Sequence, residues 1–260
     1  MGLISNTAIV SGKAEIGNNV TIRDFAVVED DVVIGDNTVI DYSALIKNGT
    51  RLGKDCKIYK GAVIASDPMD IKYKGESTIC EIGDNTIVRE HTTISKGTHL
   101  TGKTTVGSDC YIMTYCHIAH DNRIGNNVTI VNSVGLGGCV TIDDWAYISG
   151  LVGIHQFVKV GCHSLISINS KVTQDIPPYV IADGNPLSFR NLNLVGLNRR
   201  GFSKEAISNI KNAYNLIYYS PYNISDAVKA IKDTMTLTEE VSKIIDFIEA
   251  SRRGILRARK

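Results

Sequence analysis

The sequence contains no hydrophobic run long enough to cross a membrane, because no stretch approaches about 18 consecutive apolar residues. It also lacks the basic stretch followed by an apolar run that marks a secretory signal. No charge of one sign dominates, since 28 lysines and arginines nearly balance 27 aspartates and glutamates. A general attraction to nucleic acid or anionic lipid is therefore excluded. These absences predict a cytoplasmic protein with no membrane insertion and no nucleic-acid partner.

The six cysteines include no CxxC pair and no pair at the spacing of a zinc site. We therefore predict reduced thiols and no bound metal. Proline is scarce, with only 5 residues, and hydrophobic residues make up 43% of the chain, which excludes disordered and collagen-like proteins. At 260 residues the chain can bury a substantial core.

A branched aliphatic residue returns at every sixth position, which neither an α-helix nor a simple alternating strand would produce. The repeat runs from Ile4 to Ile64, resumes at Ile82, and continues from Val106 to Val172. Two residues before each aliphatic residue lies a small or short side chain. Residues two apart on a strand face the same way, so both positions point inward. The chain must turn a corner after each short strand, and three such sides close a triangular coil.

Glycine follows the aliphatic residue at intervals that are mostly multiples of 18, so we predict that three hexapeptides form one coil. Glycine, asparagine and aspartate at the corners are expected to supply the backbone freedom that the turns need. Intervals of 30 and 24 mark insertions, which we place at residues 65–79 and 97–104. Four cysteines occupy the small inward position and are predicted to fill the core: Cys56, Cys80, Cys110 and Cys116.

The hexapeptide repeat resembles the left-handed parallel β-helix superfamily, and the left hand is implied by that resemblance, not by the periodicity. We predict a mainly β protein, with this β-helix over residues 1–185 and a small α-helical C-terminal domain over residues 186–260. Ser203 is predicted to cap a helix over residues 204–219, and further helices are expected over residues 225–235 and 239–253. The superfamily contains several kinds of enzyme and noncatalytic proteins, so local motifs must decide the function.

A closer resemblance runs along essentially the whole chain. It is carried by residues 117–121 (HIAHD), 153–157 (GIHQF), 174–179 (QDIPPY) and 198–203 (NRRGFS), and by residues 70–73 (DIKY) in the first insertion. These motifs resemble UDP-N-acetylglucosamine 3-O-acyltransferases, which begin lipid A synthesis. The resemblance implies a homotrimer with active sites between subunits. It also implies transfer of an (R)-3-hydroxyacyl chain from the phosphopantetheine of acyl carrier protein to the UDP-linked amino sugar, with no other cofactor.

His120 is the candidate general base, because attack of a sugar hydroxyl on a thioester requires removal of the hydroxyl proton. Both His120 and His117 are expected to face outward from the coil. The alternative for His120 is a solvated surface histidine, but the neighbouring Asp121 can orient the ring and resembles the dyad of the family. Gly138 lies one coil after His120, about 4.8 Å away. The resemblance assigns its backbone N–H to the oxyanion of the tetrahedral intermediate.

The candidate substrate-binding residues come partly from register and partly from the resemblance. Residue 156 lies two coils after the candidate base, so it and residue 155 should border the same cleft. An arginine pair suits a nucleotide diphosphate, whose oxygens accept charge-assisted hydrogen bonds. Without the resemblance, this pair and a lysine in the first insertion would be interpreted as solvated. The predicted set is Asp70, Lys72, His117, His155, Gln156, Asn193, Arg199 and Arg200.

The sequence departs from the family at a few positions. Cys139 and Ser95 stand where many members have histidine, Met69 replaces a glutamine, and Val195 stands where a glutamate often lies near the uridine. These differences leave open whether the acceptor is a 3-hydroxyl or a 3-amino group. Ile168 lies where the family measures the acyl chain, and a side chain bulkier than glycine predicts a shorter chain.

Three other functions compete with this one. A nucleotide-sugar acyltransferase that uses coenzyme A would share the fold, and competition between coenzyme A and acyl carrier protein discriminates the two. A zinc hydratase resembling γ-class carbonic anhydrase needs three converging histidines, and His117, His120 and His155 do not match the spacing of that family. A noncatalytic scaffold would leave the His-Asp pair, the stacked glycine and both insertions unexplained.

Overall fold

Short strands follow one another around three sides of a prism in the computed structural model, which describes residues 2–258. Each strand inside a sheet of the prism hydrogen-bonds to the strands one coil before and one coil after it. His117 pairs with Gly135 and Ile118 pairs with Leu136, so these neighbouring coils are in register at a separation of three hexapeptides. The predicted coil length is confirmed.

The strands, numbered along the chain, form three sheets. The first sheet contains β1 (Ile9–Val10), β4 (Val27–Val28), β7 (Leu45–Ile46), β10 (Val63–Ser66), β13 (Thr93–Ser95), β16 (His117–Ile118), β19 (Gly135–Leu136), β22 (Gly153–Ile154) and β25 (Lys171–Val172). The second contains β2 (Glu15–Ile16), β5 (Val32–Ile34), β8 (Thr50–Leu52), β11 (Ile79–Ile82), β14 (Lys103–Val106), β17 (Arg123–Ile124), β20 (Thr141–Ile142) and β23 (Lys159–Val160). The third contains β3 (Thr21–Ile22), β6 (Val39–Ile40), β9 (Lys57–Ile58), β12 (Ile87–Val88), β15 (Tyr111–Ile112), β18 (Thr129–Ile130), β21 (Tyr147–Ile148), β24 (Leu165–Ile166), β26 (Val180–Asp183) and β27 (Ser188–Leu192).

Three corners join these sheets, and most of the candidate site residues lie at these corners. The first corner leads from the first sheet to the second, as residues 119–122 do in one coil. The second corner leads from the second sheet to the third, as residues 143–146 do. The third corner leads from the third sheet back to the first, as residues 167–170 do.

The interior of the prism is filled by the predicted aliphatic residues, such as Ile58 and Ile112, which are fully buried. The four cysteines predicted to fill the core are also buried. Burial raises the pKa of the Cys56 thiol to about 11, so this thiol is protonated at neutral pH. The small inward side chains therefore serve packing, and their predicted role is confirmed.

The role predicted for the corner glycines is wrong. A side chain at Gly35 would place its Cβ 2.5 Å from the carbonyl carbon and oxygen of Gly53 in the next coil. These glycines therefore allow neighbouring coils to approach closely. The left-handed backbone conformation occurs two positions later, at φ between 55° and 59°, and is taken by residues that tolerate it: Asn19, Asn37, Asp55, Asn85, Asp109 and Asn127.

Both insertions lie at the first corner. The first, residues 67–78, separates β10 from β11, and the second, residues 96–102, separates β13 from β14. Thr93 pairs with Val63 in the coil before it and with His117 in the coil after it, although the coils that begin at Val63 and at Thr93 are enlarged. The sheet therefore keeps its register while the extra residues leave the prism at one edge, on the coils that precede His120.

The coil ends in a hairpin and four helices. β27 pairs antiparallel with β26, so the segment after residue 186 adds a strand before it becomes helical, contrary to the prediction. The helices are α1 (Leu194–Arg199), α2 (Lys204–Tyr219), α3 (Ile224–Thr234) and α4 (Glu239–Glu249). Ser203 caps α2 by accepting a hydrogen bond from the N–H of Ala206, as predicted. Within residues 2–258 no helix has the length and apolar character needed to cross a membrane.

The last helix ends at Glu249, before the predicted end at residue 253. Beyond Glu249 the chain leaves the helix because its backbone bonds to the end of the coil. The N–H of Asp175 donates to the carbonyl of Gly254, and the N–H of Leu256 donates to the carbonyl of Asp175. The C-terminal segment thus fastens the helices to the last turn of the prism.

Within residues 2–258, no segment packs over the opposite end of the prism. Ile4 is 50% exposed although it occupies an inward position, and Val10 and Ile16 are only partly buried. Ile22 and Ile40 in the following coils are fully buried. The first coil therefore covers the second, but among the described residues nothing covers its own outer side.

Candidate active site

His120 lies at the first corner, in the turn between β16 and β17, with its side chain 17% exposed. The ring is thus outside the core, as the register predicts. Its Nδ1 lies 2.8 Å from Oδ2 of Asp121. An ionised carboxylate can only accept hydrogen bonds, so Nδ1 is the donor, and in the neutral ring this leaves the lone pair on Nε2. His120 is therefore oriented to accept a proton at Nε2.

Asp121 is completely enclosed, with a side-chain exposure of 0%. Its oxygens accept hydrogen bonds from the backbone and hydroxyl of Thr98 and of Thr101, in the second insertion. Burial acts to raise the pKa of Asp121, but hydrogen bonds from Thr101, His120 and Thr98 outweigh it and hold the pKa below its ordinary value. Asp121 is therefore a carboxylate at neutral pH and a fixed partner for the imidazole.

Gly138 lies against the imidazole in the next coil. A Cβ at this glycine would lie 2.6 Å from Cε1 and 2.7 Å from Nε2 of His120. The absence of a side chain thus makes room for the ring, which the sequence reasoning did not anticipate. The Gly138 N–H donates to no acceptor within residues 2–258. A backbone N–H without an acceptor in the described residues therefore belongs to the residue that packs against the imidazole.

A cleft of about 540 Å³ opens beside His120. Four predicted residues line this cleft. They are His120 itself, Asp70 and Lys72 from the first insertion, and Gln156 from a later coil. Its other lining residues are Met69, Ile71, Thr98, His99, Leu100, Cys139 and Phe157. Acidic, basic and amide groups thus share the cleft with large apolar side chains, which suits a ligand with polar and hydrocarbon parts.

The other two predicted histidines lie beside this cleft and do not line it. Nδ1 of His117 is 2.7 Å from the hydroxyl of Thr93 on the preceding coil. Burial and the charge of His120 lower the pKa of His117, so its ring is neutral near pH 7. His155 is exposed, and its Nδ1 lies 3.1 Å from the carbonyl oxygen of Gln156.

Asn193 and Arg200 lie at the second corner, away from His120 in the same chain. Asn193 caps α1 and donates from Nδ2 to the carbonyl of His163. Arg200 stacks 5.1 Å over the ring of Trp145 and donates to its carbonyl oxygen. Arg199, the last residue of α1, is exposed. A single chain does not bring these residues to the cleft.

Ile168 lies at the third corner and is 66% exposed. One chain therefore distributes the predicted residues over all three corners of the prism. His120 is at the first, the arginine pair is at the second, and the residue predicted to limit the acyl chain is at the third.

The sequence reasoning missed Thr98 and Thr101, which hold Asp121. Their signal was present in the second insertion, where GTHLTGK interrupts the repeat with donors and two glycines. The insertion precedes Asp121 by about one enlarged coil, so its residues had to lie next to that aspartate, at the same corner of the preceding coil. The repeat has no register inside the insertion, and the two threonines could not be chosen by counting.

His120, Asp121 and Cys139 place one potential ligand atom each within 4.8 Å of one another, which is close enough for a metal ion. The oxygens of Asp121 are already engaged by Thr98 and Thr101. Burial, with the charges of Asp121 and Asp70, raises the pKa of Cys139 to about 11. A protonated thiol and an engaged carboxylate fit a metal ion poorly.

Comparisons with known proteins agree with this architecture. A family model described as domain 2 of UDP N-acetylglucosamine O-acyltransferase matches residues 175–256, and a bacterial transferase hexapeptide model matches residues 13–48. The acyl-[acyl-carrier-protein]–UDP-N-acetylglucosamine O-acyltransferase of Stutzerimonas stutzeri is 39% identical over 258 residues, which cover 99% of this chain and 100% of the relative. The chain belongs to the UDP-N-acetylglucosamine O-acyltransferase family.

Solved structures of such acyltransferases superpose closely on this chain. LpxA of Bacteroides fragilis, a UDP-N-acetylglucosamine acyltransferase, has 42% identity and a TM-score of 0.95 and covers 98% of this chain and 100% of its own. The UDP-N-acetylglucosamine acyltransferase of Francisella novicida has 39% identity, a TM-score of 0.95 and coverage of 98% and 94%. The predicted left-handed parallel β-helix with C-terminal helices and the predicted acyltransferase class are confirmed.

The departures of this acyltransferase from the motifs of its family lie in different environments. Met69 is 76% exposed and lines the cleft with Cys139. Ser95 is buried, and its hydroxyl lies 3.1 Å from that of Ser66. Val195 is 63% exposed in α1, at the second corner. Two of the four differences thus affect the cleft of the base directly.

Proposed function

We propose that this acyltransferase moves an (R)-3-hydroxyacyl chain from acyl carrier protein to the 3-position of UDP-N-acetylglucosamine or its 3-amino analogue, with His120 as the general base. This is the first step of lipid A synthesis. The observation that carries the assignment is the His120–Asp121 pair, because His120 lines the cleft and packs against Gly138, whose N–H has no acceptor in the described part of the chain. The names of the relatives agree with both substrates.

In the proposed reaction, Nε2 of His120 removes the proton of the sugar hydroxyl as the oxygen attacks the thioester carbonyl. The negative charge on the carbonyl oxygen is stabilised by the N–H of Gly138. The carbon–sulfur bond then breaks, and the leaving phosphopantetheine thiolate takes the proton from the imidazolium. Asp121 keeps the ring in place and stabilises its positive charge.

Direct transfer requires no acyl-enzyme intermediate. Cys139 is a thiol that lines the cleft of the base, and its raised pKa of about 11 makes it a poor nucleophile at neutral pH. The only carrier of the acyl group in this scheme is the phosphopantetheine of acyl carrier protein. The scheme uses no metal or other cofactor.

Acceptor binding is proposed to begin at the first insertion. Asp70 and Lys72 face the cleft, and the Lys72 N–H donates to Oδ1 of Asp70, which fixes the turn that presents both side chains. Gln156, on a later coil, lines the same cleft, with His155 beside it. With His117 and His155 beside the cleft, these groups would provide donors and acceptors for a sugar and its substituents.

The remaining proposed groups require a second copy of the chain. Arg199, Arg200 and Asn193 lie at the second corner and Ile168 at the third, whereas His120 is at the first. A cyclic trimer in the cytoplasm, in which the first corner of one protomer faces another corner of its neighbour, would complete the site. The arginines would then bind the diphosphate and Ile168 would limit the acyl chain.

The decisive experiment is His120→Ala, assayed with UDP-N-acetylglucosamine and a 3-hydroxyacyl-acyl carrier protein. We expect kcat to fall by about 10²- to 10⁴-fold, which is the usual contribution of a general base. The matched control is His91→Ala, which removes a histidine at the third corner that stacks on Tyr115. Retained turnover in the His120 variant, with the control and the oligomeric state unchanged, would refute this base.

A further inference from the structure

The second insertion surrounds the carboxylate of Asp121 with donors. The backbone N–H of Thr98 lies 3.0 Å from Oδ1, and its hydroxyl lies 2.7 Å from Oδ2. The hydroxyl of Thr101 also donates to Oδ1, and its backbone N–H lies 3.3 Å from the same oxygen. With the Nδ1–H of His120, five donors converge on a group that offers about four lone-pair sites.

The Thr101 hydroxyl has a choice of acceptors, because it lies 2.8 Å from the carbonyl oxygen of Lys103 as well. Its single proton serves only one of them, and the charged carboxylate of Asp121 is the stronger acceptor. The Thr98 hydroxyl donates to Asp121, and Thr98 is only 3% exposed. Thr98 therefore binds both oxygens of the Asp121 carboxylate from a buried position, whereas Thr101 binds only Oδ1.

The insertion itself is held rigidly. A Cβ at Gly97 would lie 2.3 Å from the backbone nitrogen of Lys103, so the two ends of the insertion nearly touch. The N–H of Gly102 donates to the carbonyl of Thr98 at 2.8 Å, and the hydroxyl of Thr78 donates to the carbonyl of Gly97 at 2.6 Å. A loop fixed in this way can impose an orientation on the carboxylate that it surrounds.

We propose that Thr98 and Thr101 are positioning residues of the acyl transfer. They turn the carboxylate of Asp121 so that the remaining lone pair of Oδ2 meets Nδ1 of His120, and this fixes both the tautomer and the plane of the base. The inference rests on the proposed role of His120. It assigns to the second insertion a task in the reaction beyond closing the coil.

The second insertion also supports the first, which carries the proposed acceptor-binding residues. Nζ of Lys96 lies 3.0 Å from Oδ1 of Asp67, and Nδ1 of His99 lies 3.5 Å from Oε1 of Glu76. The same segment therefore touches the base through Asp121 and the acceptor loop through these pairs. Orientation of the base and placement of the acceptor are linked through one short loop.

The test is Thr98→Val, which keeps the shape of the side chain and removes the hydroxyl. We expect kcat to fall roughly tenfold to a hundredfold, the usual range for one hydrogen bond to a charged group, with KM for both substrates nearly unchanged. Thr98→Ser restores the hydroxyl and should restore kcat. The matched control is Thr86→Val, since Thr86 is fully buried in the coil and donates to the carbonyl of Gly107.

A mutant cycle separates positioning from a general loss of structure. In an Asp121→Asn background, Thr98→Val should cost far less activity than in the wild-type chain, because the group that it orients has already lost its charge. Equal losses in both backgrounds, or equal losses in the Thr98 and Thr86 variants, would overturn the inference.

A substrate-free measurement distinguishes failure of this inference from failure of the proposed function. In protein labelled with ¹⁵N-histidine, the His120 signals, assigned with His120→Gln, should show the Nδ1–H tautomer in the wild type and a mixture in Thr98→Val. An unchanged tautomer in the variant overturns the positioning role. An altered tautomer in a protein whose wild type transfers no acyl group to the sugar supports positioning and refutes the proposed substrates.

Discussion

At the scale of single residues, Gly138 shows how one missing side chain shapes the base. We predict that Gly138→Ala lowers kcat by on the order of 100-fold, because its Cβ would overlap the His120 ring at 2.6 Å and displace it from Asp121. Steady-state kinetics and thermal unfolding would be measured together. The loss should appear in kcat while the melting temperature changes little.

Gly12→Ala is the matched control for this substitution. Gly12 lies at the same corner of the first coil, and a Cβ there would meet no atom within 4 Å. Wild-type kinetics in this variant together with a large loss in Gly138→Ala would locate the effect at the imidazole. Comparable kinetics in both variants would show that the ring tolerates a methyl group beside it.

Ile168 is predicted to limit the acyl chain. Replacing it with glycine removes the whole side chain from an exposed position at the third corner and should shift the preference toward longer acyl chains. Each added methylene in an apolar pocket changes the transition-state free energy by about 1 to 3 kcal/mol, so selectivity should change about tenfold or more per methylene. A series of acyl-carrier-protein thioesters measures this. An identical chain-length profile in both proteins would remove Ile168 from the acyl site.

The convergence of His120 and Gly138 could be predicted because both belong to the repeat, where counting three hexapeptides forward leads to the neighbouring position in the next coil. Thr98 and Thr101 could not, because an insertion has no such register. The role of Gly35 was mispredicted for a related reason. The sequence pattern marks a position that needs glycine, but it does not tell whether the turn or the adjacent coil creates the need.

At the scale of elements, aromatic rings stack from coil to coil along the second corner. The Trp145 and His163 rings lie 6.2 Å apart, and the His163 and Tyr179 rings lie 5.7 Å apart. Phe202, before α2, meets His163 edge-on at 5.0 Å. This stack joins the coil to the segment that carries the arginine pair, and a histidine is its central member.

The stack makes stability depend on pH. Burial, with the charges of Arg200 and Lys243, lowers the pKa of His163 from 6.5 to about 4. Below pH 6.5 the unfolded chain binds a proton that the folded chain does not, so the free energy of unfolding falls as the pH falls toward 4. We predict that His163→Phe keeps the stacking and removes this part of the dependence.

Urea unfolding of both proteins at several pH values between 4 and 7 measures this effect. The difference in unfolding free energy between variant and wild type should grow in favour of the variant as the pH falls, and level off near pH 4. Parallel curves would show that His163 takes up its proton in the folded protein as well.

Elements were predictable where local chemistry decides them. The hydroxyl of Ser203 and the helical spacing after it locate α2 correctly. The strand β27 was missed because its sequence shows neither the sixfold repeat nor a clear alternation. Its existence depends on pairing with β26, which is a tertiary contact. The early end of α4 has the same origin, in the bonds between the C-terminal segment and Asp175.

At the scale of the whole molecule, the proposed site is divided among corners that one chain cannot bring together. We predict that two inactive variants complement each other. Co-expressed His120→Ala and Arg199→Ala chains should form mixed oligomers with a measurable fraction of wild-type activity. In such oligomers, some interfaces between protomers combine an intact His120 with an intact Arg199. Each variant alone should remain nearly inactive.

Differently tagged chains, purified through both tags, provide the mixed oligomers for this assay. A mixture of the separately purified variants, assayed before subunits exchange, is the control. Failure of the mixed oligomers to recover any activity would place both residues in the site of a single protomer, which the positions of the first and second corners in one chain do not favour.

The uncovered first coil has a consequence for how the molecule opens. In a stack whose rungs contact only their neighbours, the cost of detaching a rung is lowest where one of those neighbours is missing. Fraying therefore starts at the amino-terminal rung, where Ile4 already meets water. Local unfolding would have to pass through several intact coils before it reached His120. Opening of the amino-terminal coil is therefore not expected to disturb catalysis.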